Sequence, residues 1–236
     1  AFIVLFFSKL PESPTLGMKQ EKVDMAGAFK FSNFTFGVIA IFIYMGIEIG
    51  VANFSLLYMT KGVGIPMSTA GALVGMYWLL MLVGRLTGGI IGGMVSSRAM
   101  LTVVSSLVIV LLVAAISMPE TSMIPFIGIE SANGFHIVEQ VVPVSAVLLL
   151  LCGLGTSVMW GAIFNLSVSG LGKYTQVASG IFMVMVCGGG ILPLIQSSII
   201  GESTAASAFL DSYWLVVAFA AYELFYALVG SRVKKA

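Results

Sequence analysis

The hydrophobic positions of this chain fall into six long runs that are separated by polar stretches. The runs cover residues 36–59, 69–94, 99–117, 144–168, 178–200 and 213–230. About 20 residues of α-helix cross the hydrocarbon core of a bilayer, and each run is about that length or longer. The pattern therefore predicts an all-α integral membrane protein, with a bundle of six transmembrane helices at residues 34–231.

The segments that flank the bundle indicate a fragment of a longer protein. Residues 1–8 form a short apolar run without the basic start and small-residue exit of a signal peptide, which suggests the end of a preceding transmembrane helix. Residues 9–33 are polar and contain two prolines, as expected of an exposed linker that carries one short surface helix. Residues 232–236 form a short basic tail.

The loop at residues 119–143 is too long for a turn and too polar to cross a bilayer. An Asn-Gly pair at residues 133–134 lies between two short apolar stretches, a pattern that favours a small exposed β-hairpin. Three residues of metal-ligand type also occur here, namely Glu130, His136 and Glu139. A solvated loop ordinarily carries such side chains, so we expect no metal site.

Composition agrees with a membrane protein and argues against two classes of function. The chain of 236 residues is 59% hydrophobic and 9% charged, with a mean hydropathy of +1.09. A formal net charge of +1 leaves no broad basic surface for nucleic acid. The sequence also lacks the G-x-S-x-G and H-E-x-x-H motifs and any paired-Asp arrangement, so we expect no enzyme and no cofactor.

The loop cations predict the orientation of the bundle. Short loops rich in Lys and Arg stay on the cytoplasmic side. The far side carries only Lys61, whereas the linker, the second loop, the fourth loop and the tail carry Lys9, Lys19, Lys22, Lys30, Arg98, Lys173, Arg232, Lys234 and Lys235. The linker and the carboxyl tail are therefore predicted to be cytoplasmic, and loop 119–143 extracytoplasmic.

Glycine positions suggest an internal repeat. Gly71 and Gly92 bracket the second run as Gly180 and Gly201 bracket the fifth, with an offset of 109 in both pairs. The same offset carries the first run onto the fourth and the third nearly onto the sixth. Such a three-plus-three inverted repeat is typical of secondary transporters.

Glu48, near the middle of the first run, is the leading candidate for a functional residue. A charged group at that depth is costly unless it faces a polar cavity or takes up a proton. Tyr44 lies one turn before it and Asn53 just over one turn after it. Glu48 could bind substrate hydroxyls, exchange a proton, or hold a neighbouring helix by a hydrogen bond. Glu223, in the last run, is a second intramembrane acid whose role the sequence leaves open.

Polar and aromatic residues in the fourth and fifth runs are further candidates for substrate binding. Sugar sites combine an aromatic surface with amide and carboxyl groups that match the hydroxyls. Trp160 could supply that surface, or it could face lipid or pack in the core. Thr156 lies one turn before it on the same face, and Gln196 offers an amide in the fifth run. Asn165 lies nearer the cytoplasmic end and is a weaker candidate.

A third group of residues is expected to serve helix packing or gating. Three glycines and a proline weaken the backbone ladder of the fifth run and permit bending, namely Gly188, Gly189, Gly190 and Pro193. Arg85 and Arg98 bracket a glycine-rich stretch of the second run, where they could cap helix ends or pair with acids across a moving interface.

Two stretches identify a family resemblance. They are GRLTGGIIGGMVSSRAML at residues 84–101 and IFNLSVSGLGKYTQVASGIFMVMVCGGGILPLIQ at residues 163–196. With the YMGIE segment that begins at Tyr44, they resemble the carboxyl half of the L-fucose and glucose/galactose permeases of the major facilitator superfamily. The chain departs from the family at Trp160-Gly161, where an aromatic-Pro pair is usual, and its loop 119–143 is longer.

The resemblance implies a proton-coupled sugar symporter of the bacterial inner membrane, of which this chain supplies the second six-helix half. The expected partners are a sugar, protons, the lipid bilayer and an amino-terminal six-helix half that carries the family's principal proton acids. Two alternatives remain open: a membrane sugar sensor that does not translocate, and a half-transporter that assembles with itself.

Overall fold

The computed structural model describes residues 25–119, 121–130 and 136–233, with only the backbone described at 127–130 and 136–139. Its helices are α1 Met25–Ala28, α2 Ser32–Leu57, α3 Met67–Ile91, α4 Ser97–Ser117, α5 Val144–Val168, α6 Thr175–Val184, α7 Gly188–Ile200 and α8 Ala206–Phe225. Its strands are β1 Met123–Glu130 and β2 His136–Pro143. A π-helical turn extends α2 at Tyr58–Gly62, and another extends α8 at Tyr226–Gly230. A 3₁₀ turn at Met185–Cys187 joins α6 to α7.

The six predicted spans are confirmed in number and order. The helical stretches that are long and apolar enough to cross a membrane are Ser32–Gly62, Met67–Ile91, Ser97–Ser117, Val144–Val168, Gly172–Ile200 and Ala206–Gly230. The sixth begins seven residues before the predicted start at 213. Its first turns mix buried Phe209 and Leu210 with exposed Asp211, so a search for purely apolar residues misses them.

Helices α2 and α5 form the centre of the bundle. α2 packs against α5, α7 and α8, and α5 packs against α2, α3 and α4. α4 and α8 also pack against each other. If spans one to three are exchanged with spans four to six, each contact named here maps onto another contact named here. The packing therefore has the symmetry that a three-plus-three repeat predicts.

The helix bounds show the same repeat more precisely than the glycines do. Adding the offset of 109 to the bounds of α4, 97 and 117, gives 206 and 226, and α8 is Ala206–Phe225. The same shift of α3 gives 176–200, which matches the stretch covered by α6 and α7, 175–200. Gly92 and Gly201, which first suggested the repeat, both cap the ends of their helices.

Polar contacts hold the spans together where α2 and α4 begin and α5 and α8 end, which we call the linker end. The Asn33 side-chain nitrogen lies 3.0 to 3.2 Å from the carbonyl oxygens of Leu166, Ser167 and Ser169. Asn33 thereby caps the carboxyl end of α5 with a side chain from α2. Arg98 contacts Ser231 through its Nε at 3.2 Å, which ties the start of α4 to the end of α8.

The predicted β-hairpin is confirmed. β1 and β2 pair antiparallel with Met123 opposite Pro143 and Glu130 opposite His136. The predicted Asn-Gly turn lies outside the described residues. Strand β1 contacts α3, so the hairpin rests on the opposite end of the bundle, which we call the hairpin end. Of the predicted linker, residues 9–24 also lie outside the described residues, while the short helix α1 packs near Tyr174.

Candidate functional site

A cavity of about 730 Å³ lies between α2, α3 and α5, with α4 and the turn after α6 at its margin. It extends from Glu48, near the middle of α2, towards the linker end, where Ser97 and Met100 line it. Glycines of α3 and Gly161 of α5 form much of the remaining wall. Small residues on two facing helices leave this volume open, and the volume is within the range of small-molecule sites.

Glu48 is held at the edge of the cavity by a buried network of hydrogen bonds. The Tyr44 hydroxyl donates to Glu48 Oε2, because residues four apart lie on one face of a helix. The Tyr77 hydroxyl donates to the Glu48 backbone carbonyl at 3.2 Å and lies 3.2 Å from Thr156 Oγ1. Glu48 itself is 8% exposed, while Tyr44, Tyr77 and Thr156 are fully buried. Residues of α2, α3 and α5 therefore form one buried network around Glu48, in which Tyr44 contacts the carboxylate and Tyr77 the backbone.

Arg85 of α3 forms an ion pair with this carboxylate. Its guanidinium nitrogen lies 3.7 Å from Glu48 Oε2, and its side chain is 53% exposed. That separation is longer than a hydrogen bond, so the contact is a charge pair with space around it. Arg85 makes no hydrogen bond to any residue within the described ranges. The positive and negative groups face the same cavity.

Aromatic side chains form a second wall. Trp160 lines the cavity and stacks on Phe164, with ring centroids 5.6 Å apart and an interplanar angle of 11°. The edge of Phe182, from α6, meets the Trp160 ring at 5.9 Å and 83°. This packing holds the indole ring in place, so the cavity that contains the charged pair also has an apolar aromatic surface in its lining.

The six predicted substrate-binding residues occupy four different environments. Glu48 and Trp160 line the cavity. Tyr44 donates to Glu48 directly, while Thr156 contacts Tyr44 through its backbone carbonyl and Tyr77 through its hydroxyl. Asn53 is exposed on α2 and is not among the residues that line the cavity.

Gln196 is the sixth, and the structure does not bring it to the cavity. It is 2% exposed, and its amide nitrogen donates to Ser212 Oγ of α8 at 3.1 Å. Gly50 of α2 makes room for the amide, since an added Cβ there would lie 2.7 Å from Gln196 Oε1. Gln196 does not reach the cavity because the orientation of α7 about its own axis directs this side chain towards α2 and α8.

The residues predicted to serve packing or gating lie at contacts between helices or at a break. A 3₁₀ turn at Met185–Cys187 interrupts the fifth span just before Gly188, and such a turn within a helix often marks a hinge. Gly188 is buried against the backbone of α2 at Phe42, Gly189 lies beside Ile49, and Gly190 faces open space. Pro193 lies within α7. Of the two arginines, Arg98 joins two helix ends, whereas Arg85 enters the cavity.

Sequence reasoning missed the part that Arg85 and Tyr77 play in the site. The sequence predicts packing or gating for Arg85, with pairing to an acid across a moving interface as one option, but it does not identify Glu48 as that acid. Tyr77 carries no such signal, since tyrosines are common in membrane helices. Asn165, the weaker candidate, lines the cavity. Within the described ranges, no group of three His, Cys, Asp or Glu side chains could hold a metal ion.

Glu223 lies outside this site. It is fully buried on the core-facing side of α8, and neither carboxyl oxygen has a hydrogen-bond partner among the described residues. A buried carboxyl without partners is destabilising, and replacement of such a group by an apolar side chain of similar volume removes that cost.

We therefore expect Glu223→Met to raise the stability of the bundle by about 1 to 3 kcal/mol. The midpoint of thermal unfolding in detergent would measure the change. Glu202→Met is the control, because Glu202 is exposed on the loop before α8 and should have little effect. A lower midpoint for Glu223→Met would show that this carboxyl has a stabilising partner.

The paired α2 and α5 at the centre, the repeat and the mid-span cavity give this chain the fold of a six-helix half of FucP, a major facilitator superfamily transporter. Two crystal structures of FucP share this fold at 18% sequence identity. The E. coli fucose:proton symporter FucP aligns with a TM-score of 0.65 over 94% of this chain and 51% of that chain. FucP in the outward conformation aligns with a TM-score of 0.63 over 94% and 50%.

The relatives in sequence are also transporters. The glucose/galactose transporter of Brucella abortus is 28% identical over 223 residues, which are 94% of this chain and 47% of the relative. A putative glucose/galactose transporter of Helicobacter pylori is 26% identical over 231 residues, which are 98% and 51%. No family model matches the chain. The chain thus spans about half the length of the curated relatives it matches, and its resemblance to this group of sugar permeases is confirmed.

Proposed function

We propose that the chain is the carboxyl-terminal half of a proton-coupled sugar symporter that works by alternating access. The observation that carries the proposal is the mid-span cavity, which is lined both by the charged pair of Glu48 and Arg85 and by the aromatic side chain of Trp160. An ion pair at membrane depth is energetically costly, so its presence indicates a function. Binding of a polar ligand in the cavity is such a function. The names of the relatives, glucose/galactose transporters, support a hexose.

The chemistry of the two walls suits a pyranose. The C–H face of a sugar ring is apolar and packs on an aromatic surface, while its hydroxyls need donors and acceptors. Trp160 provides the former, and Glu48 with the Asn165 amide provides the latter. Tyr44 keeps the carboxylate oriented before the sugar arrives, which reduces the entropy lost on binding.

The arrangement of cations supports an orientation in the bacterial inner membrane with the linker and tail in the cytoplasm. The spans alternate in direction, so the described loop cations Lys30, Arg98, Lys173 and Arg232 fall at the linker end, while Lys61 falls at the hairpin end. An excess of Lys and Arg marks the cytoplasmic side. An amino-terminal six-helix half would complete the central cavity across the exposed faces of α3 and α7.

Proton coupling is proposed from the fucose:proton symporter with the same fold and from the intramembrane acid. We assign Glu48 primarily to sugar binding, because the family resemblance places the principal proton acids in the amino half. Glu48 accepts a hydrogen bond from Tyr44 and faces the guanidinium of Arg85 across the cavity edge. A charged acceptor suits the binding of hydroxyls.

Trp160→Ala tests the sugar-binding cavity in the full-length protein. We expect the apparent affinity for the transported hexose to fall about tenfold, since stacking on an aromatic ring contributes about 1 kcal/mol or more. Binding of labelled glucose, galactose and L-fucose would be measured, together with counterflow in proteoliposomes. Trp160→Phe should retain much of the affinity because it keeps an aromatic surface.

Trp214→Ala is the matched control. Trp214 is 52% exposed on α8 and does not line the cavity, so its loss should leave sugar affinity unchanged. If Trp160→Ala bound every sugar with wild-type affinity, the stacking role would be disproved. Sugar binding without counterflow in the wild-type protein would indicate a sensor instead of a transporter.

A further inference from the structure

Two polar side chains with unused hydrogen-bonding positions, Arg85 and Glu48, line the same cavity. The guanidinium of Arg85 has five N–H donors and makes no hydrogen bond within the described part of the chain, although it is half exposed. Glu48 Oε2 accepts from Tyr44, while Oε1 has no hydrogen-bond partner among the described residues. The donors of Arg85 are thus left open beside the Glu48 carboxylate, with 3.7 Å from the guanidinium nitrogen to Oε2, the oxygen that accepts from Tyr44.

We propose that Arg85 is a sugar-binding residue, and that Arg85 and Glu48 together recognise two adjacent hydroxyl groups of a neutral pyranose. This inference rests on the proposed function, because it assumes that a sugar enters the cavity. One hydroxyl donates to Glu48 Oε1, and its neighbour on the ring accepts from the Arg85 guanidinium. Adjacent hydroxyls lie close enough together for one to reach Glu48 while the other reaches Arg85, whose guanidinium nitrogen is 3.7 Å from Glu48 Oε2.

Charge favours an uncharged ligand. The pair has no net charge, and no other acidic or basic side chain lines the cavity among the described residues. A sugar acid or sugar phosphate would bring a negative charge next to Glu48, and like charges in a partly dehydrated site repel strongly. A neutral diol satisfies both groups and leaves the ion pair in place.

The surroundings hold the two groups in register. Tyr44 and the backbone contact with Tyr77 fix Glu48 on α2, as described above. Gly84, next to Arg85, packs directly on Ser157 of α5, which holds this turn of α3 close to the cavity wall. The carboxylate is held by hydrogen bonds, whereas the half-exposed Arg85 side chain has none among the described residues and can turn towards the second hydroxyl.

A panel of monodeoxy hexoses tests this assignment in the full-length protein. The wild type should bind the parent hexose and discriminate about tenfold or more against two analogues, each lacking one of two adjacent hydroxyls, since a hydrogen bond to a charged group contributes about 1.5 to 3 kcal/mol. Arg85→Gln should lose the discrimination at one of these positions. Glu48→Gln should lose it at the neighbouring position.

The controls separate recognition from folding and from general charge effects. Arg98→Gln removes an arginine that contacts Ser231 outside the cavity, and it should keep the wild-type pattern. Arg85→Lys retains the charge and should keep part of the discrimination, which covers the case in which Arg85→Gln does not fold. Elution as a single species in detergent would verify folding of each variant.

Several outcomes would overturn the inference. A uniform loss of affinity for all analogues in Arg85→Gln would show that Arg85 supports the bundle without touching sugar. Sensitivity at positions that are not adjacent on the ring would exclude the paired recognition. Tighter wild-type binding of a hexuronate than of the hexose would assign Arg85 to a carboxylate ligand. If the wild type bound no hexose at all, the proposed function itself would fail, a result distinct from the other three.

Discussion

Gly188→Ala is expected to destabilise the bundle, whereas Gly190→Ala, two residues away, is expected to leave it intact. A Cβ added at Gly188 would overlap the backbone carbonyl of Phe42 on α2, and the backbone cannot turn aside as a side chain can. A Cβ added at Gly190 meets nothing within 4 Å. The first substitution therefore pushes α7 away from α2, and the second fills open space.

The expected size follows from two opposing terms. Overpacking costs about 1 to 3 kcal/mol, while alanine in place of glycine within a helix gains about 1 kcal/mol. The helix term applies to both variants, so the difference between them isolates the contact with Phe42. Thermal unfolding in detergent should give a lower midpoint for Gly188→Ala and an unchanged or slightly higher midpoint for Gly190→Ala.

The same pair of variants also tests whether the fifth span bends during transport. The contact at Gly188 directly follows the 3₁₀ turn at Met185–Cys187, the break in the fifth span. If this break acts as a hinge during alternating access, Gly188→Ala should also slow counterflow more than it weakens sugar binding. Equal midpoints for the two variants would show that α7 and α2 can separate without cost, which would contradict the close contact between Gly188 and the α2 backbone.

Glu48→Gln is expected to lower sugar affinity about tenfold or more, with exchange and uphill accumulation falling together. Glutamine keeps the shape of the side chain and an oxygen that can accept from Tyr44. It loses the negative charge that faces Arg85 and the stronger acceptor that a sugar hydroxyl would use. Both functions fall because both need the bound sugar.

The result also distinguishes the two roles of this acid. If Glu48 carried the coupled proton, the glutamine variant would retain exchange and lose only accumulation against a gradient. Glu223→Gln is the matched control, since it replaces another buried acid within a span without touching the cavity, and it should retain sugar affinity. Wild-type affinity and accumulation in Glu48→Gln would refute both roles.

Much of the fold follows from local properties of the sequence. The number and order of the spans depend on runs of apolar residues, which hydropathy measures directly. An Asn-Gly pair between two short apolar stretches predicts the hairpin, and strands β1 and β2 pair as that pattern predicts. The repeat was visible in four glycines because two of them, Gly92 and Gly201, mark the ends of equivalent helices.

The site was predictable only in part. Glu48 and its neighbour Tyr44 stand out because a carboxylate within an apolar run is rare and because residues four apart share a helix face. Gln196 met the same criterion of a polar residue at membrane depth, yet it bonds to Ser212 away from the cavity. Polarity identifies residues that need a partner, and it does not say whether the partner is a ligand or another helix.

The sequence by itself determined which segments cross the membrane, where the hairpin lies, that the two triplets of helices are related, and that one acid lies at mid-span. Only the tertiary structure decided that Arg85 pairs with Glu48, that Tyr77 supports it, and that Gln196 is turned away. These spans are apolar on nearly every side, because lipid and the protein interior accept the same side chains. Periodicity therefore cannot reveal how each helix is rotated about its axis, and that rotation, fixed by close contacts between helices, selects the side chains that face the cavity.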